Sequence, residues 1–139
     1  MSENFVVDNS VVMAWCFFDE TEIYPDRILD KLVSGSAFVP SIWPLEVGNV
    51  LCVAERRKCL SYADSIRFLE LLHELPIIVE QESPERMLKE VFWLAREYNL
   101  STYDASYLDI AMRKGLPIAT LDRALQEAAG RCDVPILKA

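Results

Sequence analysis

Residues 101–122 read STYDASYLDIAMRKGLPIATLD, and the rest of the chain is organised around this stretch. It contains one acidic residue at the start of a predicted helix, Asp104, and a second directly after an apolar strand, Asp122. The helix is predicted to end at Gly115, because glycine adopts the left-handed conformation that closes many helices. Residues 116–120 then form a short strand. The two acidic residues therefore occupy positions that meet at one edge of a parallel sheet.

Short apolar, β-rich segments alternate with amphipathic helical segments along the whole chain. The strands are predicted at residues 5–7, 37–39, 76–79 and 116–120, with a final edge strand at 135–137. The helices are predicted at residues 11–17, 26–34, 42–58, 62–75, 84–98, from 102 to Gly115, and 122–129. This alternation predicts an α/β fold with a mostly parallel central sheet flanked by helices. At 139 residues, the chain forms a single domain spanning residues 1–139.

Several polar residues and glycines mark the predicted helix ends. Ser61 is the expected N-cap of the helix at 62–75, and Ser101 or Thr102 is expected to cap the helix that carries Asp104. Gly35 is expected to close the helix at 26–34. Ser10 is an N-cap candidate for the helix at 11–17, although its position beside Asp8 also fits a role in a site.

The composition limits the classes of function. Hydrophobic residues make up 52% of the chain, and 14 basic against 22 acidic residues give a net charge of −8. This charge argues against broad, sequence-independent binding to nucleic acid, but it does not exclude a nuclease with an acidic site. The apolar runs are too short or too interrupted to span a bilayer, and no export signal is recognisable, so a cytoplasmic location is expected.

The cysteine and histidine pattern argues against a zinc site. Cys16, Cys52, Cys59 and Cys132 are scattered without a CxxC motif, and they are expected to be buried, reduced thiols. His73 is the only histidine and is expected at the surface.

Two further acidic residues lie where a sheet-edge site would form. Asp8 follows the first predicted strand, and Glu46 lies early in the helix at 42–58. Each acid also has an ordinary structural explanation. Asp104 can complete a capping box with Ser101, Asp122 can cap its own helix, and Asp8 can open a turn, while Glu46 can complement the helix dipole at the surface.

Four segments place these acids in a fixed order along the chain: VVDNSV, PLEVGNVL, TYDASYLDIA and IATLDRAL. In this order and at these distances, the segments resemble the PIN-domain ribonucleases, and above all the VapC-type toxins of bacterial and archaeal toxin–antitoxin pairs. The resemblance covers nearly the whole chain. Asp19 and Asp109 are not motif positions.

The resemblance implies a metal-dependent endoribonuclease that holds Mg²⁺ or Mn²⁺ with four carboxylates, those of Asp8, Glu46, Asp104 and Asp122. Hard oxygen ligands suit both ions. By the same resemblance, three polar side chains support the acids from nearby: Ser10, Asn49 and Thr120.

The partners implied are an RNA substrate, a small antitoxin protein and a second copy of the chain in a homodimer; no membrane partner is expected. RNA contact is expected from a local basic rim, proposed at Arg56, Arg57, Lys58, Arg113, Lys114 and Arg123. For the run at residues 56–58, a role as a helix-end cap is favoured over an RNA contact.

The main alternative is a catalytically silent PIN-like module that binds a protein partner. A phosphoacceptor receiver domain is excluded because Arg123 follows the last motif acid, where a lysine beyond a late strand would be needed. A haloacid-type phosphatase is excluded because Ser10 stands where a second aspartate is required.

Overall fold

Four short parallel strands form the centre of the fold in the computed structural model, which describes residues 3–17 and 22–139. They are β1 (Asn4–Val7), β2 (Ser36–Pro40), β3 (Ile77–Glu80) and β4 (Ile118–Ala119), in the sheet order β3-β2-β1-β4. Phe5, Val6 and Val7 are fully buried, which explains why β1 is uniformly apolar and does not alternate. Asp19, set aside above, lies outside the described residues.

Seven helices surround the sheet within the described ranges. They are α1 (Asn9–Cys16), α2 (Tyr24–Lys31), α3 (Trp43–Arg56), α4 (Tyr62–Glu74), α5, α6 (Thr102–Lys114) and α7 (Arg123–Arg131), where α5 consists of Pro84–Arg86, a π-helical turn at Met87–Val91, and Phe92–Tyr98. The predicted α/β architecture with a parallel sheet is confirmed. In this part of the chain, none of the helices combines the length and hydrophobicity needed to cross a membrane.

Most of the predicted helix ends are confirmed. Ser61 and Asp64 form a reciprocal capping box at the start of α4. The Ser101 hydroxyl accepts a hydrogen bond from the Asp104 N–H over 3.0 Å, so Ser101 is the N-cap of α6. Gly115 closes α6 with φ 64°, the left-handed conformation expected of it.

Ser10 does not act as a helix cap. α1 begins two residues earlier than a Ser10 cap would allow, with Asp8 at the N-cap position. The Ser10 hydroxyl instead donates to the Asp8 carboxylate. Of the two roles considered for Ser10, the structure therefore supports the one beside the acidic residue.

Gly35 is required for a different reason from the one predicted. Its N–H donates to the Lys31 carbonyl at the end of α2, but its φ is not positive. A Cβ atom built on Gly35 would lie 1.7 Å from the carbonyl oxygen of Glu3. Glycine is needed here because the main chain before β1 passes too close for any side chain.

The predicted edge strand at 135–137 is reduced to a single bridge between Ile118 and Ile136. The Ile118 N–H donates to the Pro135 carbonyl over 3.0 Å, and the Leu137 N–H donates to the Ile118 carbonyl over 2.8 Å. Since β4 has only two residues and Pro135 has no N–H, the ladder cannot extend further.

The prediction of buried thiols is wrong, although all four cysteines are free. Cys52 and Cys59 are exposed, and Cys16 and Cys132 are half-buried. The helix around Cys52 turns other residues, such as Leu51 and Ala54, towards the core. His73 is exposed, as predicted.

Candidate active site

The carboxyl ends of β1 and β4 place Asp8 beside Thr120. Val7 of β1 is in register with Ala119 of β4, and the Asp8 N–H donates to the Ala119 carbonyl over 2.9 Å. The next side chains therefore face each other, and Thr120 Oγ1 donates to Asp8 Oδ2 over 2.8 Å. The site begins at this pair, at the end of the sheet where ligands of open α/β folds bind.

Ser10 and Thr120 together fasten the loop after β4 to Asp8. Ser10 Oγ donates to Asp8 Oδ2 over 2.6 Å and accepts from the Leu121 N–H over 3.0 Å. Thr120 Oγ1 accepts from the Asp122 N–H over 3.0 Å. Each hydroxyl thus connects the buried carboxylate of Asp8 to the backbone of residues 121–122. These bonds fix the position of Asp122 relative to Asp8.

Asp122 caps α7 and is also part of the site. Its Oδ1 accepts a hydrogen bond from the Leu125 N–H over 3.1 Å, which is the ordinary role considered for this residue. The cap uses only Oδ1, and the side chain is half-buried, so the second carboxylate oxygen is not occupied by the cap. The structural role therefore does not exclude a role in binding.

Glu46 lies in the first turn of α3, where it is held by a tyrosine that the sequence did not single out. The Tyr107 hydroxyl donates to Glu46 Oε1 over 2.6 Å, and Tyr107 is fully buried. A signal was available, because Tyr107 follows Asp104 by three residues and so shares its helix face. Tyr107 connects α6, which carries Asp104, to α3, which carries Glu46.

The four acids influence one another electrostatically. Burial raises the pKa of Asp104 to about 6, with further contributions from the charges of Asp8 and Asp122. Burial also raises the pKa of Glu46, opposed by the Tyr107 hydrogen bond and assisted by the charges of Asp8 and Asp104. The pKa of Asp8 is raised by burial despite its two hydroxyl donors. Carboxylates with raised pKa values that face one another form the kind of pocket that a cation stabilises.

The hydrogen bonds leave one oxygen available on three of the four acids. Asp8 uses Oδ2 for both hydroxyls, Glu46 uses Oε1, and Asp122 uses Oδ1. Positioned carboxylates with a second oxygen to offer match the donor set of a hard divalent cation. In the geometry described for residues 3–17 and 22–139, however, no three acidic, histidine or cysteine side chains are gathered closely enough to hold a metal ion. The acids are neighbours rather than a preassembled ligand set.

Asn49 differs from the other two predicted supporting residues. It lies in α3 one turn after Glu46, and its side chain is exposed. Among the described residues, no hydrogen bond joins Asn49 to any of the four acids, whereas Ser10 and Thr120 both contact Asp8 directly.

The predicted basic rim divides into two groups. Arg123 is exposed in the first turn of α7, immediately after Asp122. The run Arg56, Arg57 and Lys58 is exposed at the end of α3. Arg123 therefore adjoins an acid of the site, whereas the run at residues 56–58 begins ten residues after Glu46, which is roughly 15 Å along α3.

Arg113 and Lys114 lie at the C-terminal end of α6, whereas Asp104 lies in its first turn. They end α6 at least nine residues after Asp104, which is roughly 13 Å along a helix. Arg113 pairs with Asp109 and Glu82, and Lys114 pairs with Glu80 over 3.2 Å. Both charges are therefore balanced within the fold, and the assignment of Arg113 and Lys114 to the RNA rim stays a prediction.

Comparison with known proteins extends the resemblance to the whole site. The PIN domain family matches residues 5–131, a range that contains Asp8, Glu46, Asp104 and Asp122. Ribonuclease VapC3 from Pyrobaculum aerophilum is 35% identical over 122 residues, which are 88% of this chain and 92% of that protein. The crystal structure of PAE2754, also from Pyrobaculum aerophilum, matches with a TM-score of 0.69 at 26% identity, over 92% of this chain and 87% of that one.

Proposed function

The chain belongs to the PIN domain family, and from this premise we propose that it is a metal-dependent endoribonuclease, the toxin of a toxin–antitoxin pair. The name of its relative, Ribonuclease VapC3, supports the choice of RNA as substrate. The predicted ions, Mg²⁺ or Mn²⁺, suit the carboxylate oxygens of the site.

One observation supports this proposal above the others. Four separate segments bring carboxylates together, and burial, assisted by their mutual charge, raises the pKa values of Asp8, Glu46 and Asp104. Helix capping and turn formation explain each acid singly, but they do not explain why the chain brings the charges together. Repulsion among carboxylates destabilises the fold, so its presence indicates a functional reason. Carboxylates with perturbed pKa values are candidates for a functional site.

The protein side chains would position the reaction rather than carry it out alone. Ser10 and Thr120 hold Asp8, Tyr107 holds Glu46, and the Leu125 N–H holds Asp122. When bound, a divalent cation neutralises charge on the scissile phosphate and lowers the pKa of a coordinated water. The four acids named above would hold that cation.

The RNA would be contacted by a small number of cations. Arg123 adjoins Asp122, and residues 56–58 add three more positive charges at the end of α3. A local rim of this kind is compatible with the net charge of −8, since the remaining surface would repel RNA that does not fit.

The family also supports proposals about partners and location. We propose that the protein forms a homodimer, that an antitoxin places a basic side chain over the acidic pocket, and that both act in the cytoplasm. The repulsion among the acids gives the reason, because a positive side chain would relieve it as a metal ion does. Copurification with the product of a neighbouring reading frame, and sedimentation of the free chain, test these two associations.

The test of activity is incubation of the purified protein with structured RNA and Mn²⁺, with and without chelator. Wild-type protein is expected to cut the RNA only when the metal is available. Asp104→Asn is expected to abolish cleavage. Asp30→Asn, which alters an exposed acid of α2, serves as the matched control and should leave cleavage unchanged.

Two outcomes would contradict the proposal. Cleavage that persists in Asp104→Asn at the wild-type rate would show that the acidic site is not responsible. A folded wild-type protein that binds the antitoxin but never cuts RNA would favour the alternative, a catalytically silent PIN-like module.

A further inference from the structure

An apolar pocket of about 240 Å³ opens beside the acidic site, between α5, α6 and the loop after β2. Its walls are formed mainly by Ile42, Met87, Val91, Phe92, Tyr103 and Ile110. Phe92 and Tyr103 are half-exposed, with 50% and 56% of their surface accessible. The interior of the pocket is apolar, and two aromatic rings reach solvent at its opening. The pocket can therefore bury an apolar surface and stack a planar group on a ring.

Two lining residues of the pocket are close neighbours in the chain of two of the acids, although none of the four acids lines it. Tyr103 immediately precedes Asp104 in the first turn of α6. Ile42 lies one helical turn before Glu46, whose N–H donates to the Ile42 carbonyl over 3.1 Å. Positions one turn apart on a helix are about 5–6 Å apart at Cβ. An RNA whose phosphate lies at the acids therefore places an adjacent nucleotide within reach of the pocket.

The charged groups at the pocket are carboxylates whose charge is already balanced, and Ser41, Thr102 and Ser106 add hydroxyl groups. Three carboxylates line it, those of Glu80, Glu82 and Asp109. Each is paired with a cation, the three cations being Lys114, Arg86 and Arg113. The lining is therefore neutral in sum and does not repel a polyanion. Lys114 pairs with Glu80 through Oε1, so Oε2 is not used in that pair.

We propose that this pocket binds one unpaired nucleobase of the RNA, from a nucleotide beside the scissile phosphate. The inference rests on the proposed function, since it assumes that RNA is the substrate. Unpaired bases are recognised by stacking on aromatic rings and by hydrogen bonds to their edges, and the pocket supplies both. Carboxylate acceptors select bases that carry an exocyclic amino group. Adenine, guanine and cytosine have this group, whereas uracil offers only its ring N3–H, so a bias against uracil is expected.

The charge pattern favours a base over an apolar side chain from another protein. A purely hydrophobic occupant would desolvate the carboxylates of the lining without giving them a new hydrogen bond. A base satisfies them through its amino group while its faces cover the apolar walls. The pocket also adjoins the acids, where the substrate must lie, rather than a remote surface.

The first experiment measures base preference by cutting a pool of RNAs that contain ten randomised nucleotides, and sequencing the new ends. Wild-type protein is expected to show a preference at one position beside the cut, with uracil depleted by about threefold or more. Phe92→Ala and Tyr103→Ala should flatten that position and raise KM by about tenfold. Trp93→Ala is the matched control, because Trp93 is a similarly exposed aromatic that does not line the pocket. It should leave the preference unchanged.

The second experiment does not depend on cleavage. The Asp104→Asn protein is titrated into single-stranded RNA that contains 2-aminopurine, whose fluorescence is quenched when the base stacks on an aromatic ring. Quenching is expected with Asp104→Asn and should be lost when Phe92→Ala is added to it. Folding of each variant is checked by its thermal transition.

The outcomes separate the two proposals. Cleavage by Asp104→Asn would overturn the proposed function, whatever the base preference. An unchanged preference in Phe92→Ala and Tyr103→Ala, or quenching that survives Phe92→Ala, would overturn the base pocket while leaving the nuclease intact. Conversion of a wild-type dimer to monomer by both variants, with base preference retained, would show instead that a second copy of the chain occupies this surface.

Discussion

Thr120 Oγ1 donates a hydrogen bond to Asp8 Oδ2 over 2.8 Å, although 112 residues separate them in the chain. They meet because β1 and β4 are neighbouring parallel strands whose last residues are in register. Both side chains are almost completely buried, with 1% of Thr120 and 4% of Asp8 exposed. A carboxylate that is buried to this extent must be hydrogen-bonded to remain charged. The Thr120 hydroxyl therefore helps to keep Asp8, the least exposed of the four acids, ionised.

Replacing Thr120 with valine removes this donor while keeping the shape of the side chain. We expect cleavage, measured as kcat/KM with Mn²⁺, to fall by about 10–100-fold, as is typical when the support of a metal ligand is lost. The free energy of unfolding should fall by about 1–3 kcal/mol, because Asp8 Oδ2 loses one of its two donors and the Asp122 N–H loses its acceptor. Thr120→Ser keeps the hydroxyl and is expected to recover most of the activity. Equal activity in the valine and serine variants would show that the hydroxyl has no role.

Replacing Tyr107 with phenylalanine tests whether the tyrosine positions Glu46. The change removes one hydroxyl, whose hydrogen bond to Glu46 Oε1 spans 2.6 Å. We expect Mn²⁺ affinity, measured by calorimetry, to fall by about tenfold. The free energy of unfolding should change by only about 1 kcal/mol. Tyr98→Phe is the control, since it removes a hydroxyl at the end of α5. Equal metal affinity in the two variants would contradict a positioning role.

The pKa of Asp104 predicts how stability depends on pH without metal. Its folded-state pKa of about 6 lies above the ordinary 3.8, so the folded state binds more protons between these values. Stability should therefore fall as pH rises from about 4 to 6. Two pKa units correspond to roughly 3 kcal/mol, which we reduce to about 1 kcal/mol because the carboxylate is half-exposed.

The Asp104→Asn variant removes this titration. In chelator it should be about 1 kcal/mol more stable than wild type at pH 7 and no more stable at pH 4, as measured by urea unfolding. Asp30→Asn, at an exposed position on α2, should follow the wild-type pH dependence. A stability gain for Asp104→Asn that is the same at both pH values would mean that charge repulsion is not its cause.

The sequence predicted the elements that depend on local chemistry. The uniformly apolar run before Asp8 indicated a strand buried on both faces, and Ser61, Ser101 and Gly115 indicated helix ends, since capping depends on neighbouring residues alone. The placement of acids after strands also predicted that Asp8 and Asp122 approach each other.

What the sequence did not predict depends on contacts between distant segments. One such contact is the hydrogen bond from Tyr107 to Glu46, and others are the salt bridges of Asp109 with Arg86 and Arg113. To predict them, one must know which helices pack together. For the same reason, the pairing of Arg113 with Asp109 and Glu82 was not predicted when Arg113 was assigned to the RNA rim. The thiols were assigned to the core because cysteine is often buried, but the helix face decides burial at each position.

Metal addition gives a prediction that needs no RNA. If the acids hold Mn²⁺, its binding to the folded state alone should raise the free energy of unfolding by about 2.7 kcal/mol at a concentration 100 times Kd. Thermal unfolding of wild type should therefore shift upward with Mn²⁺. Asp8→Asn should be as stable as wild type or more stable in chelator, because repulsion is reduced, and should not respond to the metal. A variant that fails to fold in chelator would contradict this account of Asp8.

Gly35 provides a test of the fold that is independent of the site. A Cβ at this position would lie 1.7 Å from the Glu3 carbonyl oxygen, so Gly35→Ala must displace the main chain before β1. Because β1 is the neighbour of both β2 and β4 and leads directly into Asp8, this displacement should reach the centre of the sheet. We expect a loss of about 2 kcal/mol or more in the free energy of unfolding, measured with urea.

Gly48→Ala is the matched substitution. Gly48 lies inside α3, and a Cβ there would meet no atom within 4 Å. Alanine is favoured over glycine in a helix interior by about 0.5–1 kcal/mol, so this variant should be more stable than wild type. The same chemical change is therefore predicted to act in opposite directions at the two positions. If Gly35→Ala were as stable as Gly48→Ala, the close approach of the chain before β1 to the start of β2 could not exist in solution.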